Sequence, residues 1–188
     1  QPMTAASQVW EATLGLASVA RARGDFEAIT TRIPALLQTE ELPTSLRVEA
    51  ELILADAWRA LGEHAQAAES YGAAAQLEPL LAPHLYDWQG DEYYASGNYS
   101  AALTAYQQAR PGRTANSRIA GLLEKIGLTY AAVGDFEAAI TTYEEILALA
   151  QNPGYRARIL YQTAETERLA GQNEAAYARM QALVATYP

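Results

Sequence analysis

The chain has 188 residues, half of them hydrophobic, and carries 22 acidic against 13 basic side chains for a formal net charge of −9. That balance argues against nucleic acid as a partner and suits the solubility of an alanine-rich helical surface. Without cysteine there is neither a disulfide framework nor a thiolate metal site, and no run of about 18 apolar residues is present to span a membrane.

The chain opens on Gln1-Pro2, with neither an initiator methionine nor a signal-type hydrophobic segment, so a processed or excised piece of something longer is expected. Thr4 is placed to cap a first helix running to about Arg23, with Val9, Leu16 and Ala20 on its buried stripe. Gly24 should stop that helix, because only glycine enters the left-handed region without a side-chain penalty. Asp25 then caps a second helix, Phe26 to Leu37, and Pro34 inside it is expected to kink it. After a polar link, Gln38 to Thr44, the spacing of Val48, Leu52, Leu54, Ala55, Trp58 and Leu61 predicts a helix over Leu46 to Leu61.

Further helices are predicted at about Ala65 to Leu77, Pro83 to Ser96 and Tyr99 to Ala109. Arg110 to Asn116 reads as a flexible link. Helices follow at about Ser117 to Val133 and Phe136 to Ala150, then a turn at Gln151 to Gly154, then helices at about Tyr155 to Ala170 and Asn173 to Thr186. The last helix carries Ala176, Met180, Leu183 and Val184 on one face with no polar solvating helix after it, so either more protein or another molecule is expected to cover that face.

These helices repeat in register. The turn glycines Gly24, Gly62, Gly97, Gly134 and Gly171 stand 38, 35, 37 and 37 residues apart. Seven residues before each stands a small residue, Ala17, Ala55, Gly90, Gly127 and Ala164; nine after each stands a large one, Ile33, Tyr71, Tyr106, Tyr143 and Met180. Small residues facing large ones are what close packing of paired helices demands, and this period indicates a solenoid of helical hairpins.

The pattern resembles the tetratricopeptide repeat, most closely in Tyr86…Gly90…Tyr93…Gly97-Asn98-Tyr99…Ala102…Tyr106 and Leu123…Gly127…Tyr130…Gly134-Asp135-Phe136…Ala139…Tyr143. The resemblance implies an all-α fold, a right-handed α–α superhelix of five helical hairpins and about ten helices. It also implies one domain with repeats over about 4–42, 43–80, 81–114, 115–152 and 153–188. The end copies depart from it: Ile29 stands where alanine is expected, Glu167 where an aromatic belongs, and Asn173 in place of the aromatic after the turn.

In such solenoids the first helix of each pair lines the concave face. The resemblance therefore implies a groove lined by Glu11, Leu14, Ser18 and Arg21, then by Glu49, Leu52, Ile53, Asp56 and Arg59. His84, Asp87, Trp88, Asp91 and Tyr94 would follow, with Glu124, Lys125 and Leu128, and finally Arg158, Tyr161, Gln162, Glu165 and Arg168. Of these, Asp56, Arg59, His84, Asp87, Trp88, Asp91, Tyr94, Glu124, Lys125, Tyr161 and Glu165 are the candidate partner-binding residues. An acidic and aromatic centre suits an extended peptide bearing Arg or Lys, or a carbohydrate whose ring faces stack on aromatics. The plainer alternative is a solvated wall with Trp88 partly packed between neighbouring helices.

Little in the sequence points to chemistry. His64 takes the place of an aromatic after a turn glycine and reads as packing. His84, Asp87 and Asp91 share a helical spacing but form an incomplete metal set, and a polar groove is the preferred reading. Adjacent carboxylates such as Asp91-Glu92 diverge by about 100° on a helix and are not acid–base pairs. No catalytic residue, metal or cofactor is assigned. The expected function is a non-catalytic scaffold or adaptor binding a protein partner in the groove or along the last helix, with self-association through that helix as a further possibility. The alternative is the helical substrate-guiding region of a larger cell-envelope enzyme such as a lytic transglycosylase.

Overall fold

The computed structural model describes residues 5–112 and 116–187. Among these are ten α-helices and no strand: α1 (Ala5–Arg23), α2 (Phe26–Leu37), α3 (Thr44–Ala60), α4 (His64–Leu77), α5 (Ala82–Ala95), α6 (Tyr99–Ala109), α7 (Asn116–Ala132), α8 (Phe136–Leu149), α9 (Pro153–Leu169) and α10 (Asn173–Thr186). A short 3₁₀ turn, Arg110–Gly112, opens the link after α6. The expected cap Thr4 and the rest of the link at 113–115 lie outside the described residues. None of the described helices is long and apolar enough to cross a membrane.

Every predicted corner is built in one way. Gly24, Gly62, Gly97, Gly134 and Gly171 have φ of +74°, +78°, +78°, +81° and +77°. The amide following each glycine donates to the carbonyl five residues earlier, as in Asp25 N to Ala20 O at 2.9 Å and Asp135 N to Tyr130 O at 2.9 Å. Each glycine's own amide bonds three residues back, so the left-handed residue satisfies carbonyls that the helix end would otherwise leave without partners. Asp25 Oδ1 then accepts from Ala28 N at 3.2 Å and Asp135 Oδ1 from Ala138 N at 3.1 Å, which caps α2 and α8.

The helices gather into two compact units that divide between Asn98 and Tyr99. In the N-terminal unit α1 packs on α2 and α3, and α2 to α5 pack each on the next. Its core joins Leu14, Ala17, Ile29, Ile33, Leu36, Ile53 and Leu54, with a second cluster around Ala55, Tyr71 and Leu85. In the C-terminal unit α6 to α10 pack in succession around Leu123, Ile126, Tyr143, Ile146 and Ile159, all buried.

Several expectations are corrected. The buried side of α1 carries Leu14, Ala17 and Ala20, whereas Val9 and Leu16 are exposed, because α2 and α3 cover only the former side. Leu14 and Ile53, expected on a groove, are core residues. Pro34 lies inside α2, as expected, and Ile29, Ile33 and Leu36 are the buried residues of that helix. Pro153 and Gly154 belong to the first turn of α9 and not to a turn before it: Asn152 Oδ1 accepts from Tyr155 N at 2.9 Å, and proline suits a position whose amide has no helical partner. Glu167, an apparent defect in the repeat, is buried and held by Arg179, with Nε to Oε1 at 3.0 Å and Nη2 to Oε1 at 2.7 Å.

Candidate functional site

In the N-terminal unit the candidate residues meet around one tyrosine. Tyr71 stands nine residues after its turn glycine, on α4, and its hydroxyl donates to Asp56 Oδ1 on α3 at 3.0 Å. Asp56 also accepts from Arg59 Nη2 at 3.0 Å and from Arg21 Nη1 at 3.4 Å. The other side of the assembly is Trp88 on α5, whose ring lies 5.6 Å from that of Tyr71 at 59°, a tilted aromatic pair. Trp88 nevertheless stays 47% exposed. Burial, and then the Asp56 carboxylate, push the Tyr71 hydroxyl above the ordinary phenol range, so it stays a donor.

The remaining α5 candidates share that helix. His84 is exposed, Asp87 and Asp91 are half-buried and Tyr94 is 38% exposed. His84, Asp87 and Asp91 do not gather as metal ligands, and no group of three or more such side chains does so among the described residues. His64 is not an apolar packing residue: its Nδ1 lies 2.7 Å from Oε2 of the buried Glu92, so it holds a carboxylate of α5 from the first turn of α4.

In the C-terminal unit the candidates are paired side chains. Glu124 on α7 accepts from Arg158 Nη1, from Arg158 Nη2 at 2.9 Å and from the Tyr155 hydroxyl at 3.3 Å, both partners lying on α9. The Arg158 guanidinium lies 5.0 Å above the Tyr155 ring, and Lys125 Nζ lies 5.8 Å from the Tyr106 ring centre. Glu165 accepts from Arg168 Nη2 at 2.9 Å, and Tyr161 is 53% exposed. Burial first, then Glu124, push the Tyr155 hydroxyl up to about 12.

A cavity of about 560 Å³ opens beside this network, lined by Ala120, Gly121, Glu124, Leu149, Ala150, Gln151, Asn152 and Tyr155. Sequence reasoning missed it, since its walls come from three helices and no spacing along the chain links Glu124 to Tyr155. Tyr71, the hinge of the N-terminal cluster, was legible only as a repeat position; its hydroxyl bond to Asp56 depends on how α3 meets α4.

Large packs with small at three of the repeat's paired positions: Ala17 and Ile33 share one core cluster, Ala55 and Tyr71 another, and a Cβ on Gly127 would meet the Tyr143 ring. Residues 122–157, from the middle of α7 into α9, match the family model of the tetratricopeptide repeat. That segment matches the tetratricopeptide repeat, and the rest of the chain shares its helical-hairpin fold. Solved structures of this architecture resemble it along most of its length. A crystal structure of MamA protein superposes with a TM-score of 0.69 at 22% identity, covering 94% of this chain and 90% of that one. A second MamA structure gives 0.64 at 20% identity over 98% and 95%. The TPR-like repeats of a kinesin light chain from Podosopora anserina give 0.66 at 16% identity over 93% of each. At these identities the likeness speaks for the fold. A comparison with curated proteins finds no match.

Proposed function

We propose that this chain is a non-catalytic interaction scaffold that holds an extended, Arg- or Lys-bearing segment of a protein partner against the Trp88 face of its N-terminal unit. One observation carries the reading. Trp88 is half in solvent, yet its ring is braced by Tyr71, which is itself fixed to Asp56. A large aromatic held in place before binding loses little conformational freedom on contact, which is the character of an interface anchor. Tryptophan is also the best aromatic surface for a cation, and the chain's net charge of −9 draws cationic segments toward it.

A carbohydrate would use the same ring but gains nothing from that charge. The carboxylate that fixes the ring's brace, Asp56, already accepts from two arginines and Tyr71, which leaves it little capacity for sugar hydroxyls. In the C-terminal unit Glu124 and Glu165 are neutralised by Arg158 and Arg168, so the proposal rests on the N-terminal unit.

The test titrates Arg- and Lys-bearing peptides, neutral peptides and oligosaccharides against the chain and against a Trp88→Ala and Asp91→Ala double variant. The basic peptides should bind the parent best and bind the double variant at least about tenfold more weakly, about 1.4 kcal/mol. Equal affinity for parent and variant would exclude this face, and binding of oligosaccharide alone would replace the peptide by a sugar.

A further inference from the structure

Three departures from the repeat fall in one place. Two residues after the turn glycine, three of the other copies carry an aromatic ring, at Phe26, Tyr99 and Phe136, whereas the second copy carries His64. Five residues before the glycine the other copies carry Val19, Ala57, Thr129 and Thr166, and the third carries Glu92. Nine before it stand Gly15, Ile53, Lys125 and Gln162, and in the third copy Trp88. Chains break their own local rules at sites of function more than elsewhere.

These three residues belong to one contact, between α4 and α5. His64 Nδ1 lies 2.7 Å from Glu92 Oε2, and Glu92 is buried. Trp88 stands one turn before Glu92 on the same side of α5, while Tyr71, which braces the Trp88 ring, stands two turns after His64 on α4. Two side chains of α4 therefore grip two side chains of α5, one grip at the carboxylate and the other at the indole.

We propose that His64 is a positioning residue of the Trp88 face: through the buried Glu92 it fixes the roll of α5, and so the angle at which Trp88 meets a cationic segment of a partner. This rests on the Trp88 face being where the partner binds. Tyr71 alone holds α5 at one point, and a helix held at one point can still turn about it. The second grip, one turn further along, removes that freedom, and it is a firm one because a carboxylate buried without its partner is strongly disfavoured. A surface ordered in this way before a partner arrives loses less on binding.

Fluorine NMR of the full chain labelled with fluorotryptophan tests it. The Trp88 resonance is assigned by its loss in Trp88→Phe, and those of Trp10 and Trp58 report on the rest of the unit. His64→Phe restores the ring of the other copies without the hydrogen bond. His64→Phe combined with Glu92→Thr restores both stations and leaves no buried charge unpaired, so it should melt no lower than His64→Phe alone. In both variants the Trp88 resonance should move or broaden while those of Trp10 and Trp58 stay in place, and the Arg- and Lys-bearing peptides should bind at least about fivefold more weakly. His64→Asn, which offers an N–H at the same reach, should keep the parent's resonance and affinity. An unmoved Trp88 resonance in the two variants, a His64→Asn chain that behaves like His64→Phe, or peptide affinity that stays at the parent's while the resonance moves overturns the proposal. If the parent binds none of the peptides, the reading of the Trp88 face falls, and the resonances alone decide whether His64 positions Trp88.

Discussion

The ring of Tyr143 occupies the space that a side chain on Gly127 would need: a Cβ built on the glycine would sit 2.5 Å from Tyr143 Cε1. Tyr143 is buried and cannot swing aside. Gly127→Ala should therefore destabilise the chain, overpacking of about 1–3 kcal/mol outweighing a helix-propensity gain of about 1. Gly121 lies on the same helix with nothing within 4 Å of its Cβ position, and there the same change should stabilise by up to about 1 kcal/mol. Urea midpoints of the two variants, moving in opposite directions, check the pair.

Arg47 and Arg156 stand fifteen residues before Gly62 and Gly171 and perform one task. Arg47 donates to Leu37 O at 2.6 Å and Thr39 O at 2.8 Å, and Arg156 donates to Leu147 O and to Ala150 O at 3.0 Å. Each guanidinium satisfies carbonyls at the negative end of the preceding helix. Replacement by alanine should cost about 1.5–3 kcal/mol at either position. Lysine should recover only part of the loss, because an ammonium lacks the planar fork. Thermal melts of the four variants measure this.

Arg179 holds the buried Glu167 with Nε and Nη2 and reaches Glu144 Oε1 at 3.2 Å. Arg179→Met strands a carboxylate away from water and should cost about 3–5 kcal/mol. Changing Glu167 to methionine as well should return most of that loss, since no buried charge is left without a partner. A double-mutant cycle in urea separates the two cases.

The alkaline limb of stability should bend at two tyrosines. An unfolded tyrosine titrates near 10. Folded Tyr155 keeps its proton up to about 12, and Tyr71 shifts in the same direction. Between about 10 and 12 the folded chain binds more protons than the unfolded one, so this contribution is complete below about 10 and is lost as pH rises through 12. Tyr155→Phe should flatten the decline over that window. A variant whose melting temperatures track the parent there would show that the Tyr155 hydroxyl takes no part.

Much of the fold was legible before any coordinate. Corner glycines declare themselves because a positive φ is a demand on one residue, and all five meet it. The limits of α2, α6 and α10 coincide with the predicted ones, since capping residues and apolar period act within a single helix. For the proposed site the sequence marked positions and not a function: Trp88 stands half in solvent against Tyr71, and Asp56 is paired with Arg59. Val9, Leu16, Leu14 and Ile53 were misplaced, because an apolar residue does not record which neighbour will cover it.

From sequence alone came the helices, their turns, their period and the exchange of small for large residues between paired helices, all properties of a few consecutive positions. Only the tertiary structure decided which side of α1 is core, that Tyr71 joins Asp56 to Trp88, that Glu167 finds Arg179, and that Arg47 and Arg156 close the helix before their own. Burial and pairing are set by side chains brought in from other helices. The energy of a charge or an aromatic face depends on that company more than on its neighbours along the chain.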